Sequence, residues 1–426
     1  MKSEHSALFS SYVIDGVRQD VTPADMLEEC MIPSAATSDP ACAQGENAED
    51  SDAGFSCAET EVQIPGDIWD ETVDPSPESC ACPEERFSEL LDAVSEASHA
   101  AQDRPFELQY PESFSRQRIA AALIDCLWLE GKFRLEDLRL WADWSWNVSG
   151  LGSHSAFYRS VRSATDYVYT LGIGIQGYGY DESDGLSVNS YFPVPASYAA
   201  DCGADEDVDE DVADKDWEED DMTPDEDRQW TVGGPEFCLE SDREVWMGER
   251  RKCSAGLAAG DTCLIYVPFD TCQFRLGGSL LSSVSGCGGG HAPQIEDPDY
   301  FIDCFEVVRD LVEDGVVLAS RTVCDGGVAV AAKKLAAASG VGISLNVNGL
   351  GRAYNESDRM RLLFAEVPGA LLQISEDDLD YVDSQFLLQD VAYFRIGRPD
   401  ASFDGLKLEP AGNGVGRIVA ALSAGL

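Results

Sequence analysis

Positive charge is the scarcest resource of this chain: 29 Lys and Arg stand against 79 Asp and Glu, for a formal charge of -50 at pH 7. Nucleic-acid binding rests on Lys and Arg neutralising phosphates, so no nucleic-acid partner is expected. The acidity reads as a solubility device, and halophily, the other composition that produces it, sits poorly with 14 cysteines. Those cysteines include no pair of C-x-x-C motifs, and the closest spacing is Cys80-Ala81-Cys82, so the template for a zinc ribbon is missing. They read as reduced thiols, many of them buried. Histidine is down to four, His5, His99, His154 and His291. None lies near Cys324 in sequence to activate it as a nucleophile. Apolar runs of about 18 residues are absent, and MKSEHSALFSSY has no signal-like stretch. The expectation is a cytoplasmic protein that makes no use of a membrane.

With 44% hydrophobic residues over 426 positions, the chain can bury two or three units. Residues 1–104 are rich in Ser, Ala, Asp, Glu and Pro and read as largely irregular. Two stretches are exceptions: ALFSSYVIDG, with strand character, and RFSELLDAVSEAS, where Phe87, Leu90, Leu91 and Val94 share a helical face. Residues 105–200 form a first ordered unit. SRQRIAAALIDCLWLEG predicts a helix capped by Ser115 and ended by Gly131, FRLEDLRLWADWSWN a strand, SHSAFYRSVRSATDYVYTLG a helix, and IGIQGYGY and GLSVNSYFPV two further strands. An acidic insertion, 201–232, then separates this unit from a second, 233–426.

That second unit alternates strands (TCLIYVPF, VVLAS, GISLNV, LLFAE, GALLQI, VAYFRIG) with helices (PDYFIDCFEVVRDLVEDG, VAVAAKKLAAASG, and GVGRIVAALSAGL at the end). This pattern gives a sheet covered by helices. The predicted fold is α+β or α/β.

A family becomes visible in the ordered series FRLGGSLL, EVVRDLVEDGVVLASRTVCDGGVAVAAKKLA, LLFAEVPGALLQISEDDLDYV and VAYFRIGRP. The series resembles the C-terminal part, the aminoimidazole-ribonucleotide-synthetase-like domain, of large phosphoribosylformylglycinamidine synthases, the ATP-dependent amidotransferases of purine synthesis. LWADWSWNVSGLGSHSAFYRSVRSATDYVYTLGIGIQGYGYDESDGLSV is collinear with the family segment upstream. The resemblance implies a partial N-terminal nucleotide-binding subdomain and a complete C-terminal subdomain with a helix-covered mixed sheet, without the glutaminase domain.

The resemblance also implies site residues. Gly177, Gly179 and Asp181 stand at the family's phosphate-side G-K-D-S loop, where the lysine has no counterpart. Gly277, Gly278 and Ser279 match its L-G-G-S segment. Asp325, Gly326 and Gly327 match the end of its H-D-x-S-D-G-G loop, whose His and first Asp are replaced by Arg321 and Thr322. These residues are the implied contacts to ATP or ADP, and Asp181, Asp325 and Glu366 the implied magnesium ligands. A D-G-G turn between strand and helix also caps the helix whether or not anything binds, and an exposed turn is the ordinary place for a glutamate such as Glu366. Gly288-Gly289-Gly290-His291 reads as a flexible loop. No catalytic residue is assigned. The expectation is a degenerate, non-catalytic nucleotide-binding or interaction module, and its rival an ATP-dependent ligase subunit completed by a partner chain. The first unit holds too few strands to close alone, so a homodimer or a hetero-partner is expected through it.

Overall fold

The computed structural model describes residues 6–31, 61–71, 83–99, 108–182, 185–196, 229–232, 247–286 and 290–410. The closing GVGRIVAALSAGL segment, most of the acidic insertion, Ser183, Gly288 and Gly289 lie outside them.

The N-terminal stretch is more ordered than its composition suggests. Strands β1 (Ser11–Ile14), β2 (Val17–Arg18) and β3 (Glu61–Ile64) make a small sheet, with β3 parallel to β1. Helix α1 (Pro23–Glu29) begins at a capping box in which Thr22 and Asp25 bond each other's backbone amides. Helix α2 (Gly66–Glu71) follows β3. Helix α3 (Phe87–His99) turns the expected face inward, with Phe87, Leu90, Leu91 and Val94 all buried.

Helix α4 runs from Pro111 to Cys126, with its cap at Tyr110, five residues ahead of the expected one. Proline fits a first turn because its missing N–H is one that the helix leaves unpaired anyway. Ser115 is therefore no cap: it is buried inside the helix and its Oγ meets Ser160 Oγ at 2.7 Å. The helix also stops before Gly131, because residues 128–130 pair in extended form with 250–252, through Lys252 N to Trp128 O at 2.7 Å and Glu130 N to Arg250 O at 2.8 Å. Strand β4 (Leu138–Trp146), helix α5 (Ser153–Thr170), β5 (Gly174–Glu182) and β6 (Val188–Pro195) follow as the pattern predicts. A further strand, β7 (Gln229–Val232), occupies the end of the stretch assigned to the acidic insertion. The four strands form one mixed sheet in the order β6-β4-β5-β7, with β4 and β5 parallel across α5.

The second sheet has six strands in the order β13-β10-β12-β8-β11-β9. In chain order its elements are β8 (Thr262–Pro268), helices α6 (Leu280–Ser285) and α7 (Pro298–Glu313), β9 (Val317–Val323), α8 (Gly327–Ser339), β10 (Gly342–Leu345), α9 (Asn348–Ala353), α10 (Arg359–Phe364), β11 (Gly369–Ser375), α11 (Leu379–Leu388), β12 (Phe394–Asp400) and β13 (Leu406–Leu408). LLFAE is not the expected strand. Asp358 accepts the amides of Met360 and Arg361, and this cap winds RMRLLF into α10 before the chain straightens at Ala365.

Strand β8 is buried at every position, as suits a central strand with both faces covered. Its Cys263, Ile265 and Val267 belong to a core that continues through α7 into α4, α5 and β4. Its Leu264 and Tyr266 belong to a second core with α8, α10 and α3. The two units thus share one apolar interior, and the acidic stretch between them in sequence does not separate them in space. A helix from the N-terminal stretch, α3, completes the far layer of the C-terminal sheet.

Candidate functional site

The loops singled out from sequence converge on one side chain. Glu366 follows α10 and is 2% exposed. Its Oε1 accepts the amide of Leu280 at 2.8 Å and that of Gly326 at 2.9 Å. Leu280 opens α6, directly after the Gly277-Gly278-Ser279 turn, and Gly326 immediately precedes α8. One carboxylate therefore ties both glycine loops together at the positive ends of two helices. Ser279 completes the arrangement by capping α6, with its Oγ accepting from Ser282 N.

The glycines are required by the chain's own backbone. A Cβ on Gly277 would lie 2.3 Å from Gly290 O, and one on Gly327, which has φ +66°, would lie 2.7 Å from Leu363 O. Gly326, at φ +75°, leaves room for Val330 and for Val94 of α3, 3.0 Å from where its Cβ would stand. These close approaches are made to neighbouring chain rather than to open space that an anion could enter. Asp325 is exposed at the tip of the loop.

Gly177, Gly179 and Asp181 are placed differently. They sit within β5 and not in a loop: Gly177 pairs with β4, and Gly179 and Asp181 lie between β4 and β7. Asp181 accepts from Ser145 Oγ at 3.4 Å. Its neighbour Glu182 accepts Ala7 N at 2.8 Å and Tyr180 OH at 2.9 Å, which fastens the N-terminal segment to the sheet. Asp181 and the Glu366 cluster belong to different sheets. Among the described residues no group of three or more His, Cys, Asp or Glu side chains is arranged to hold a metal ion, so Asp181, Asp325 and Glu366 are not brought together as magnesium ligands.

A second polar cluster, which sequence reasoning passed over, lies where α4 meets β9. Trp128 Nε1 donates to Thr322 Oγ1 at 3.0 Å, and Thr322 donates to Asp125. Arg251 donates to the carbonyl and hydroxyl of Ser320 and lies over the Trp128 ring. Burial lowers the Arg251, Arg321 and Lys334 cations from their ordinary values, against the opposing pull of Asp125. The signal for this cluster was in the sequence, as the Arg321-Thr322 replacement. Its partners Asp125 and Arg251 lie too far along the chain to be found by spacing.

A surface cleft beside the end of β8 is lined by Asp270, Cys272, Arg275, His291 and Asp297 among others. The buried Asp270 carboxylate accepts the amides of Cys272, Glu296 and Asp297, so it fixes the loops of the cleft. Burial, reinforced by Asp270, pushes the Cys272 thiol well up, which makes it a poor nucleophile.

Residues 266–401 match the family described as AIR synthase related protein, C-terminal domain. In this segment the chain folds into most of the mixed, helix-covered sheet described above, the fold class that the resemblance implied. The chain is 26% identical over 289 residues to the probable phosphoribosylformylglycinamidine synthase, chloroplastic/mitochondrial, of Arabidopsis thaliana, a match covering 67% of this chain and 17% of that protein. It is 30% identical over 119 residues to human phosphoribosylformylglycinamidine synthase, covering 28% of this chain and 8% of the relative. The chain thus spans less than a fifth of the length of either curated relative. Among solved structures, T. maritima PurL complexed with FGAR is 11% identical, with a TM-score of 0.44 over 68% of this chain and 39% of that one. Among the described residues no helix is long and apolar enough to cross a membrane.

Proposed function

We propose that this chain is a degenerate relative of phosphoribosylformylglycinamidine synthase, in which the AIR-synthase-related domain serves as a non-catalytic nucleotide-binding or interaction module. The observation that carries the reading is Glu366. The best surviving carboxylate of the family pattern is buried and accepts two backbone amides, so it holds loops in place and is not offered to a metal or substrate. The replacement of the family's His and Asp by Arg321 and Thr322, and the placement of Gly177, Gly179 and Asp181 inside a strand, support the same reading. ATP hydrolysis or amide-to-amidine conversion by the purified chain, abolished in Asp325→Asn, would overturn it and restore the rival, an ATP-dependent ligase subunit working with a partner chain.

ATP or ADP with magnesium is the ligand to try first, by thermal shift. A saturable, magnesium-dependent rise in Tm, lost in Asp181→Asn, makes the module a nucleotide binder. No rise leaves a fold kept for its surface. A homodimer or hetero-partner against the four-stranded sheet belongs to the same proposal, since four strands leave β6 and β7 as edges. Light scattering that gives a lone monomer counts against the homodimer.

A further inference from the structure

The cleft beside the end of β8 has a volume of about 600 Å³, a size that suits a small molecule. Two loops, 270–275 and 291–297, supply its lining, and they are tied at both ends. At one end Asp270, 2% exposed, accepts the amide of Cys272 at 2.8 Å and those of Glu296 and Asp297 at 3.0 Å. At the other, Gly277 N donates to His291 O at 2.9 Å. The loops therefore run antiparallel, and they cannot close the cleft without breaking these bonds.

This arrangement divides the charge. Asp270 and Asp297 stand together at the first end, where Asp297 Oδ1 caps α7 by accepting Tyr300 N at 3.1 Å and its Oδ2 accepts the Thr271 hydroxyl at 3.1 Å. Neither carboxylate makes an ion pair with any described residue. Arg275 lies toward the second end, half-buried, and bonds the neutral side chain of Gln273. It too makes no ion pair with any described residue. Opposite charges thus line one cavity without meeting, each still able to take a partner.

We propose that the cleft binds an amino acid whose ammonium and carboxylate lie several bonds apart. The ammonium sits at Asp270 and Asp297, whose oxygens keep free lone pairs, and the carboxylate takes the guanidinium fork of Arg275, with the His291 ring beside it. A ligand with the same charge at both ends meets repulsion at one of them. The site is separate from the Glu366 cluster, so nucleotide binding and this binding can be tested apart.

The probe is 6-aminohexanoate, titrated into the full chain by calorimetry at matched ionic strength. Adipate and 1,6-diaminohexane, of the same length but with one sign of charge, are the controls. Saturable binding of 6-aminohexanoate alone is expected. Arg275→Gln and Asp297→Asn should each weaken it by about tenfold. Asparagine still caps a helix, so Asp297→Asn should melt as the parent does. Arg275→Lys, which keeps the charge, should lose less than Arg275→Gln, and Arg352→Gln, an exposed cation on α9, should change nothing. If Asp297→Asn fails to fold, the two Arg275 variants decide. No saturable binding of 6-aminohexanoate, equal binding of either control, or unchanged affinity in Arg275→Gln overturns the proposal.

Discussion

Glu366 shows how a residue identified by pattern acquires a different role from its surroundings. Replacing it with Ala strands two buried amides, those of Leu280 and Gly326, each worth about 1–3 kcal/mol. Glu366→Ala should therefore lose about 3 kcal/mol or more in urea unfolding, and Glu366→Gln, which keeps one acceptor oxygen, clearly less. Equal, small losses would mean that the carboxylate is not holding the loops. Gly327→Ala should be at least as damaging, because its methyl group would enter the Leu363 carbonyl at a positive φ. His154 offers a test against pH. Burial holds its imidazole below the usual 6.5, against the pull of Glu182. As pH falls below about 6.5 the unfolded chain takes up a proton that the folded chain refuses, so stability drops by up to about 1.4 kcal/mol per pH unit. Urea unfolding of His154→Gln at pH 5 to 7 should give a flatter slope than the parent. At this scale the sequence revealed which loops matter. It did not reveal that Glu366 joins them, because hydrogen bonds between residues 280, 326 and 366 leave no mark in local spacing.

Elements were legible where periodicity ran long. The stripes of α3, α5 and α7 were visible as apolar residues three and four apart, and the same residues are buried. The short strands of VVLAS, GISLNV and GALLQI came out as expected, but LLFAE did not, because five residues do not distinguish a period of two from one of 3.6. LLFAE belongs with the capping Asp358, several residues upstream, and Asp358→Ala should cost about 1 kcal/mol by urea unfolding. A loss near zero would mean that packing of Leu362, Leu363 and Phe364, not the cap, fixes the helix. The early start of α4 at Pro111 and its early end at Cys126 have one cause: what the flanking backbone pairs with lies elsewhere in the chain.

For the whole molecule, the joint between the units is held by Arg309, which is fully buried. It donates to the carbonyls of Leu127 and Leu129 at 2.7 and 2.8 Å and to that of Gly131, and stacks over Phe133. Arg309→Met should cost about 3–5 kcal/mol, because it leaves those carbonyls and Glu313 without their partner. It should also broaden a single unfolding transition into two if this joint carries the cooperativity. A variant as stable as the parent would mean that the shared apolar core alone binds the units. Composition suggested two bodies parted by an acidic stretch, since charge runs are easy to see and a common core is not. The same blindness hid the placement of α3, and that placement has a consequence for how the protein is made. On the ribosome α3 emerges long before the sheet it covers, and its face of Phe87, Leu90, Leu91 and Val94 must wait for α8 and α10 to be synthesised. That apolar face therefore stays without its packing partners until residues 327–364 have been synthesised, so closure of this core is a late event.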